Sequence, residues 1–209
     1  MRNQETLMMK YALLLISMLL LSGCATLSES ECRSADWYAI GFEDGAQGRP
    51  VSYLSEHRKA CADYQVTPAF EPYRQGHEQG VAQYCTADNG FALGRRGGRY
   101  QNVCPPAQAA VFVPAYQRGY QLYMVERQIQ EAQRQQRQEE QAVANDRQRI
   151  TEIESLLIHE SGNSESRKQL LAEMRALEAG IHEHQQRIFH LAEELDALYA
   201  EMRALESAP

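Results

Sequence analysis

Residues 38–45 read Tyr-Ala-Ile-Gly-Phe-Glu-Asp-Gly, an aromatic residue with glycines at the third and seventh positions after it. The pattern returns at 73–80 and 91–98, and a degenerate copy at 116–123 keeps only the first glycine. On a helix, positions i, i+3 and i+7 share one face, so each aromatic ring and its glycines form one strip. The strip residues are Tyr38, Gly41, Gly45, Tyr73, Gly76, Gly80, Phe91, Gly94, Gly98, Tyr116 and Gly119.

These repeats predict short helices packed against one another. Each glycine lowers helix propensity by about 1 kcal/mol relative to alanine, so its repetition indicates a packing role. Two alternatives stay open: a glycine-lined groove for a glycan or peptide, and turns in which glycine supplies a positive φ. Asp88–Gly90 and Gly97–Gly98 are the candidate turns. Leu54–Cys61 predicts one further helix, and Thr67 followed by Pro68 predicts the start of the helix with the second repeat.

The N-terminal segment is typical of an exported, lipid-anchored protein. A basic region is followed by an apolar run at 11–20, which is shorter than the ~20 residues needed to span a bilayer. Leu21-Ser22-Gly23-Cys24 then resembles the lipobox of bacterial lipoproteins, whose cysteine is acylated. We therefore expect a signal peptide at 1–23, lipidation of Cys24 and a short linker at 24–31. Ala25, being other than Asp, implies the outer membrane; the start codon could be Met1, Met8 or Met9.

Acylation of Cys24 leaves four cysteines in an oxidising compartment, which predicts two disulfides. Four cysteines allow three connectivities, and pairing between sequence neighbours, Cys32–Cys61 and Cys85–Cys104, is the weakly favoured one. Because the chain has no CxxC pair, the spacing fits no zinc pattern, and we expect no metal site.

These features together resemble the bacterial lipoproteins of the domain of unknown function 2799 family. The segments that support the resemblance are 37–48, 57–61, 73–80, 84–85 and 89–105, within a match over about 29–123. The resemblance implies a lipoprotein with a cysteine-crosslinked domain. It supplies no catalytic residue and no cofactor.

From residue 121 onward the pattern changes to long helices. The second helical segment has two heptad series that form one seam: Leu170, Met174, Leu177, Ile181, His184, Ile188, Leu191, Leu195, Leu198, Met202 and Leu205. A weaker series, Ile129, Gln136, Val143, Ile150 and Leu157 with Ala132 and Ile153, precedes a loop near 161–164. A short loop favours an antiparallel hairpin, although self-association or a partner helix remains open. His184 is the polar member of the seam, and a pH-sensitive seam there is a further possibility.

The predicted fold is therefore all-α: a disulfide-crosslinked module of short glycine-containing helices at 32–120, followed by a long antiparallel hairpin or coiled coil at 121–209. The net charge of −7 argues against nucleic-acid binding. Asp36, Glu43, Asp44 and His77 could be imagined as an acid–base site, but no catalytic motif occurs and we expect no enzyme activity. We expect an outer-membrane lipoprotein with a structural or protein-interaction role, its periplasmic arm contacting an envelope protein or a second copy. An envelope binding module for glycan or peptide is the alternative, and a peptidoglycan-acting enzyme is a weaker one.

Overall fold

The structure, a computed structural model, describes residues 26–159 and 163–207. This part of the chain is all-α, as predicted. Its helices are α1 (Glu29–Arg33), α2 (Trp37–Ala46), a 3₁₀ turn (Val51–Tyr53), α3 (Leu54–Ala62), α4 (Phe70–Tyr84), α5 (Ala87–Arg95), α6 (Pro106–His159) and α7 (Ser164–Ser207). None of these helices is both long and apolar enough to span a membrane. The predicted leader and Cys24 lie outside the described residues.

The chain divides into two compact units. Of the described residues, those up to Cys85 and Gln101–Pro105 form unit 1, and Thr86–Tyr100 and those from Pro106 onward form unit 2. This division differs from the predicted boundary between residues 120 and 121. Because α6 runs unbroken through that position and its N-terminal part packs on α5, α5 groups with the long helices.

Local side chains determine where the helices of unit 1 begin. Asp36 caps α2, since its carboxylate accepts hydrogen bonds from the N–H groups of Tyr38 at 3.0 Å and Ala39 at 3.1 Å. The predicted helix start at Thr67 and Pro68 is wrong, because α4 begins at Phe70. The proline in its first turn is Pro72, at a position where the missing N–H has no helical partner in any case.

In unit 1, α2 and α4 form a pair, the first hairpin, whose backbones meet directly. A Cβ on Gly41 would lie 2.0 Å from the carbonyl oxygen of Tyr73, and one on Gly76 would lie 1.9 Å from that of Tyr38. Gly45 and Gly80 approach the opposite helix equally closely, at 2.2 and 2.0 Å from carbonyl oxygens. No side chain fits at these distances, so the glycine faces close on each other and leave no groove for a ligand.

In unit 2, α5 and the N-terminal part of α6 form the second hairpin by the same contacts. A Cβ on Gly90 would lie 2.5 Å from the carbonyl oxygen of Phe112, and one on Gly94 would lie 2.2 Å from that of Tyr116. Gly119 reciprocates, at 2.3 Å from the carbonyl oxygen of Phe91. The predicted turn at Asp88–Gly90 is therefore wrong, because these residues lie inside α5 and Gly90 is a packing residue.

The two hairpins also correct the register of the sequence repeat. Gly41, Gly45 and Gly48 have the same surroundings as Gly90, Gly94 and Gly97, so the shared motif is Gly-Phe-x-x-Gly-x-x-Gly at 41–48 and 90–97. The predicted alignment, which matched Phe91 with Tyr38 and Gly98 with Gly45, is wrong. Gly98 contacts Leu93, a residue of the preceding helix α5, and does not contact the backbone of the opposite helix.

The last glycine of each motif ends its helix. Gly48 and Gly97 adopt positive φ values of 71° and 68°, a backbone conformation that favours glycine after a helix. Each also makes room for a tyrosine ring from the opposite helix. A Cβ on Gly48 would lie 2.3 Å from Cζ of Tyr84, and one on Gly97 would lie 2.4 Å from Cζ of Tyr123.

The structure contains the disulfides Cys32–Cys61 and Cys85–Cys104, which confirms the favoured pairing. Along the chain, each bond joins the segment before the first helix of a hairpin to the connection that leads to its second helix. Both cysteine pairs have Cα atoms 5.6 Å apart, a usual distance for a disulfide.

Beyond the second hairpin, α6 and α7 form a long antiparallel arm. A buried cluster joins Val125, Ile129 and Ala132 of α6 to Leu195 and Leu198 of α7. Every predicted seam residue of α7 is buried or half-buried, and so are the predicted seam residues of α6. Within this chain the two seams therefore face each other. Because α6 ends at His159 and α7 begins at Ser164, the connection between them lies at the predicted loop.

Candidate functional site

A buried carboxylate lies at the centre of unit 1. Asp44 is 2% exposed, and its Oδ2 atom accepts hydrogen bonds from His57 Nε2 and from the hydroxyl of Tyr73, both at 2.7 Å. Its Oδ1 atom accepts a third bond, at 2.8 Å, from the guanidinium of Arg49. We call these four residues the Asp44 network. A buried carboxylate is tolerated only with such compensation, because its desolvation is costly.

The network determines which groups carry charge. Burial alone would raise the pKa of Asp44, but the hydrogen bonds from His57, Tyr73 and Arg49 outweigh it and hold that pKa below its ordinary value. Burial, together with the bond to Asp44, raises the pKa of the Tyr73 hydroxyl. Asp44 is therefore the ionised acceptor and Tyr73 a neutral donor at any physiological pH.

His57 links this network to the N-terminal segment. Because Asp44 accepts from Nε2, that nitrogen bears a proton, and the Nδ1 atom of a neutral ring accepts from the Thr26 hydroxyl at 3.0 Å. Thr26 is two residues after Cys24. The ring also packs edge-on against Tyr53, with centroids 5.2 Å apart. The first described residue is thus held against the core of unit 1.

An aspartate that orients a histidine is also a component of acid–base catalysts. Here both side chains are 3% exposed, and Thr26 occupies the other ring nitrogen. The site therefore presents no base to a substrate, and its geometry is that of a satisfied polar core. No buried polar side-chain atom of the described residues lacks a hydrogen-bond partner.

The structure brings together only two of the four residues that were considered as an acid–base site. Asp44 lies in the network, and His77 lies beside it, with its ring stacked on Tyr73 at a centroid distance of 6.0 Å. Asp36 caps α2 instead, and Glu43 is exposed. His57 was missed. Its spacing from Leu54 and Cys61 places all three on one face of α3, and that signal predicts an inward-facing residue.

An open groove lies in unit 1 beside His77. It encloses about 460 Å³ and is bordered on one side by α4 and on the other by the 3₁₀ turn and residues 101–105. Val51 and Phe70, which line it, are 41% and 54% exposed. His77 is 7% exposed and lines the groove as well.

The histidines of the arm do not form a metal site. His184 is half-buried in the seam, where Nδ1 contacts Glu139 and Nε2 lies 3.9 Å from Asp146 of α6. Arg187 also binds Glu139, at 2.9 Å. Hydrogen bonds from His184 and Arg187 hold the pKa of Glu139 below its ordinary value. No cluster of three or more metal-ligating side chains occurs among residues 26–159 and 163–207.

The comparison with known families matches the part of the chain that contains both hairpins. Residues 36–121 fit the family model described as protein of unknown function (DUF2799). This region belongs to that family. The DUF2799 region spans the start of α2 to the helical turn of α6 that packs on α5, so the family model covers both glycine-paired hairpins and excludes most of the arm. No curated protein and no solved structure matches the chain.

Proposed function

We propose that the protein is a lipid-anchored component of the bacterial envelope with a structural or protein-interaction role. Acylation at Cys24 would hold it on the periplasmic face of the outer membrane, and the α6–α7 arm would contact an envelope partner. The support for the anchor is the lipobox-like sequence, together with two disulfides, which are typical of an oxidising compartment.

The observation on which the interaction role rests is the surface of the arm. Ile158, Leu171 and Phe189 are 75%, 37% and 61% exposed, although α6 and α7 already bury their seams against each other. Single exposed apolar residues are usual, whereas contiguous apolar patches mark interfaces. We take these three side chains as the candidate contacts of a further partner.

The same geometry makes two other functions weaker proposals. A ligand groove between the repeat glycines has no room, because opposing carbonyl oxygens fill it. A catalytic role for Asp44 and His57 would require access to solvent, and each side chain is 3% exposed. Both groups of residues are better explained as the packing and the polar core of the hairpins.

The anchor is tested with Cys24→Ala in cells. We expect loss of labelling by an alkyne fatty acid and release of the protein from the membrane fraction, because the acyl chains supply the membrane affinity. Unchanged labelling and fractionation would refute the anchor.

The partner is tested by in-cell crosslinking from a photoreactive residue at Phe189. Glu194, an exposed polar position about 140° around the same helix, is the control site. We expect one defined envelope protein, or a second copy, to crosslink at Phe189 and not at Glu194. Equal and diffuse crosslinking at both sites would contradict an interaction surface.

A further inference from the structure

One ring nitrogen of His77, a residue that lines the groove beside α4, has no hydrogen-bond partner among the described residues. His77 Nε2 lies 2.7 Å from the carbonyl oxygen of Arg49, which can only accept, so Nε2 bears the proton. The Nδ1 atom of the neutral ring is then a hydrogen-bond acceptor, and no residue of the described chain bonds to it. Because no fully buried polar side-chain atom of the described residues is unsatisfied, Nδ1 keeps some exposure to solvent, and His77 lines the groove. A side chain more than nine-tenths buried thus presents one acceptor to a ligand.

The opposite wall offers main-chain groups. Gln101, Asn102 and Val103 line the groove, and neither their main chain nor their side chains make a hydrogen bond within the described residues. Asn102 has a φ of 56°, so this segment is not a regular strand, but its N–H and C=O groups are available. Residues with unpaired hydrogen-bonding groups therefore line both sides of the groove.

The remaining lining selects against an anion. Arg74 is the basic residue of the groove, and it already forms ion pairs with Glu71 at 2.5 Å and with Glu78. Apolar lining comes from Phe70 and Val51, which are exposed, and from Val81, which is buried. A phosphate, a lipid headgroup or an acidic glycan would find no free positive charge here.

The length of the groove favours a chain-like ligand. Its α4 wall runs from Phe70 to Val81, which at 1.5 Å per residue is about 16 Å. An extended peptide advances about 3.3 Å per residue, so about five residues fit. A peptide backbone also carries donors and acceptors along its length, as the two walls require, and recognition of this kind uses unpaired main-chain groups for affinity and pockets for side chains.

We propose that this groove binds an extended peptide segment, which packs an apolar side chain against Phe70 and Val51 and donates a main-chain N–H to Nδ1 of His77. All of its residues belong to unit 1, none of them is part of the arm, and none of its contacts involves Cys24. Loss of the anchor or of the arm partner would therefore leave it unaffected.

The test begins with a selection of random heptapeptides on the full mature protein in detergent micelles. The enriched sequence is synthesised with a fluorophore, and its binding is measured by anisotropy. Phe70→Ala removes an exposed anchor without disturbing the core. His77→Gln retains an N–H group for the Arg49 carbonyl and removes the acceptor from the position of Nδ1. We expect each substitution to weaken binding about tenfold, because each removes one anchoring contact. Thermal unfolding establishes that both variants are folded.

The controls are Val111→Ala, which removes an exposed apolar side chain of α6, and His190→Gln, which makes the same histidine substitution at an exposed position of α7. They should bind the peptide as the wild type does. Failure to enrich any peptide, or equal affinity in all four variants, would overturn the proposal. So would saturable binding of an N-acetylglucosamine oligomer, or of phosphatidylethanolamine–phosphatidylglycerol vesicles, that Phe70→Ala abolishes, because the groove would then serve another ligand.

Discussion

The first and second hairpins share one backbone arrangement but have chemically different cores. Asp44 and Tyr73 of the first occupy the positions of Leu93 and Phe112 in the second, as judged from the glycine contacts. One hairpin therefore buries a carboxylate with a hydroxyl, and the other buries two apolar side chains at the same places. The glycine contacts determine the crossing of the helices, whereas the core beneath them can be polar or apolar.

One hydrogen bond is kept despite this exchange. In the first hairpin His77 Nε2 donates to the carbonyl of Arg49, and in the second the hydroxyl of Tyr116 donates to the carbonyl of Gly98 at 3.1 Å. Both acceptors follow the glycine of positive φ that ends the first helix. In both hairpins, a ring on the second helix thus donates a hydrogen bond to the turn that follows the first helix, whether that ring is an imidazole or a phenol.

Changing Asp44 to Leu should produce the largest effect, a loss of about 4 kcal/mol in the free energy of unfolding of the first hairpin. The substitution leaves His57 and Tyr73 buried without their acceptor. The triple variant Asp44→Leu, His57→Leu, Tyr73→Phe imitates the apolar second hairpin and should recover to within about 1 kcal/mol of the wild type. Urea unfolding followed by the fluorescence of Trp37, the single tryptophan and a residue of α2, measures both values. A triple variant as unstable as the single one would contradict the equivalence.

Removing either disulfide by paired Cys→Ser substitution should lower stability by about 3.5 kcal/mol in the chain-entropy account. The cysteines are 29 residues apart in the first pair and 19 in the second. The difference between the two losses should therefore be small, about 0.4 kcal/mol. Urea unfolding followed by circular dichroism can compare the two variants. A loss confined to one pair would show that the bonds are not equivalent constraints.

Ala115 is the position in the second hairpin that corresponds to Gly76 in the first. Since the second hairpin accommodates a Cβ there, Ala115→Gly should remove no clash and should cost only helix propensity, about 1 kcal/mol. Thermal unfolding by circular dichroism measures the change. An increase in stability would mean that the second hairpin is strained at this point and that the two crossings differ.

Acidification should have the smallest effect and should act on one hairpin only. The pKa of Asp44 is lowered in the folded protein, so its contribution to stability is complete above its unfolded value of 3.8 and is lost as the pH falls below it. Leu93 takes its place in the second hairpin and does not titrate. Hydrogen exchange between pH 5 and pH 3 should show earlier loss of protection in α2 and α4 than in α5. Simultaneous loss would contradict this assignment.

Periodic features were predictable from the sequence, and features that depend on contacts between distant residues were not. The α7 seam follows from the heptads. The disulfide pairing agrees with the weakly favoured pairing of sequence neighbours, but the residues alone allow three connectivities. The predicted register of the repeat is wrong because it aligns the aromatic residues Phe91 and Tyr38, whereas the shared motif begins at Gly41 and Gly90. His57 and Asp44 are 13 residues apart, and only the turn of the chain between α2 and α3 brings them together.

The predicted boundary between residues 120 and 121 differs from the division into units for a related reason. Composition changes near that position, because glycine and aromatic residues become rare beyond it. Helical continuity, however, depends on the absence of a break, and α6 passes through the change unbroken even though Pro114 lies inside it. The change in composition coincides with a change in the helix against which α6 packs, from α5 to α7, while α6 itself continues.

The account rests on the claim that the repeat glycines serve helix contact, and Gly76→Ala compared with Gly180→Ala tests it most directly. A Cβ on Gly76 would lie 1.9 Å from a main-chain oxygen, whereas one on Gly180, in the middle of α7, would lie 3.4 Å from the mobile end of the Asp146 side chain. Thermal unfolding should show Gly76→Ala destabilised by about 3 kcal/mol and Gly180→Ala unchanged or stabilised by up to about 1 kcal/mol. Equal stability of the two variants would contradict the direct contact of α2 with α4.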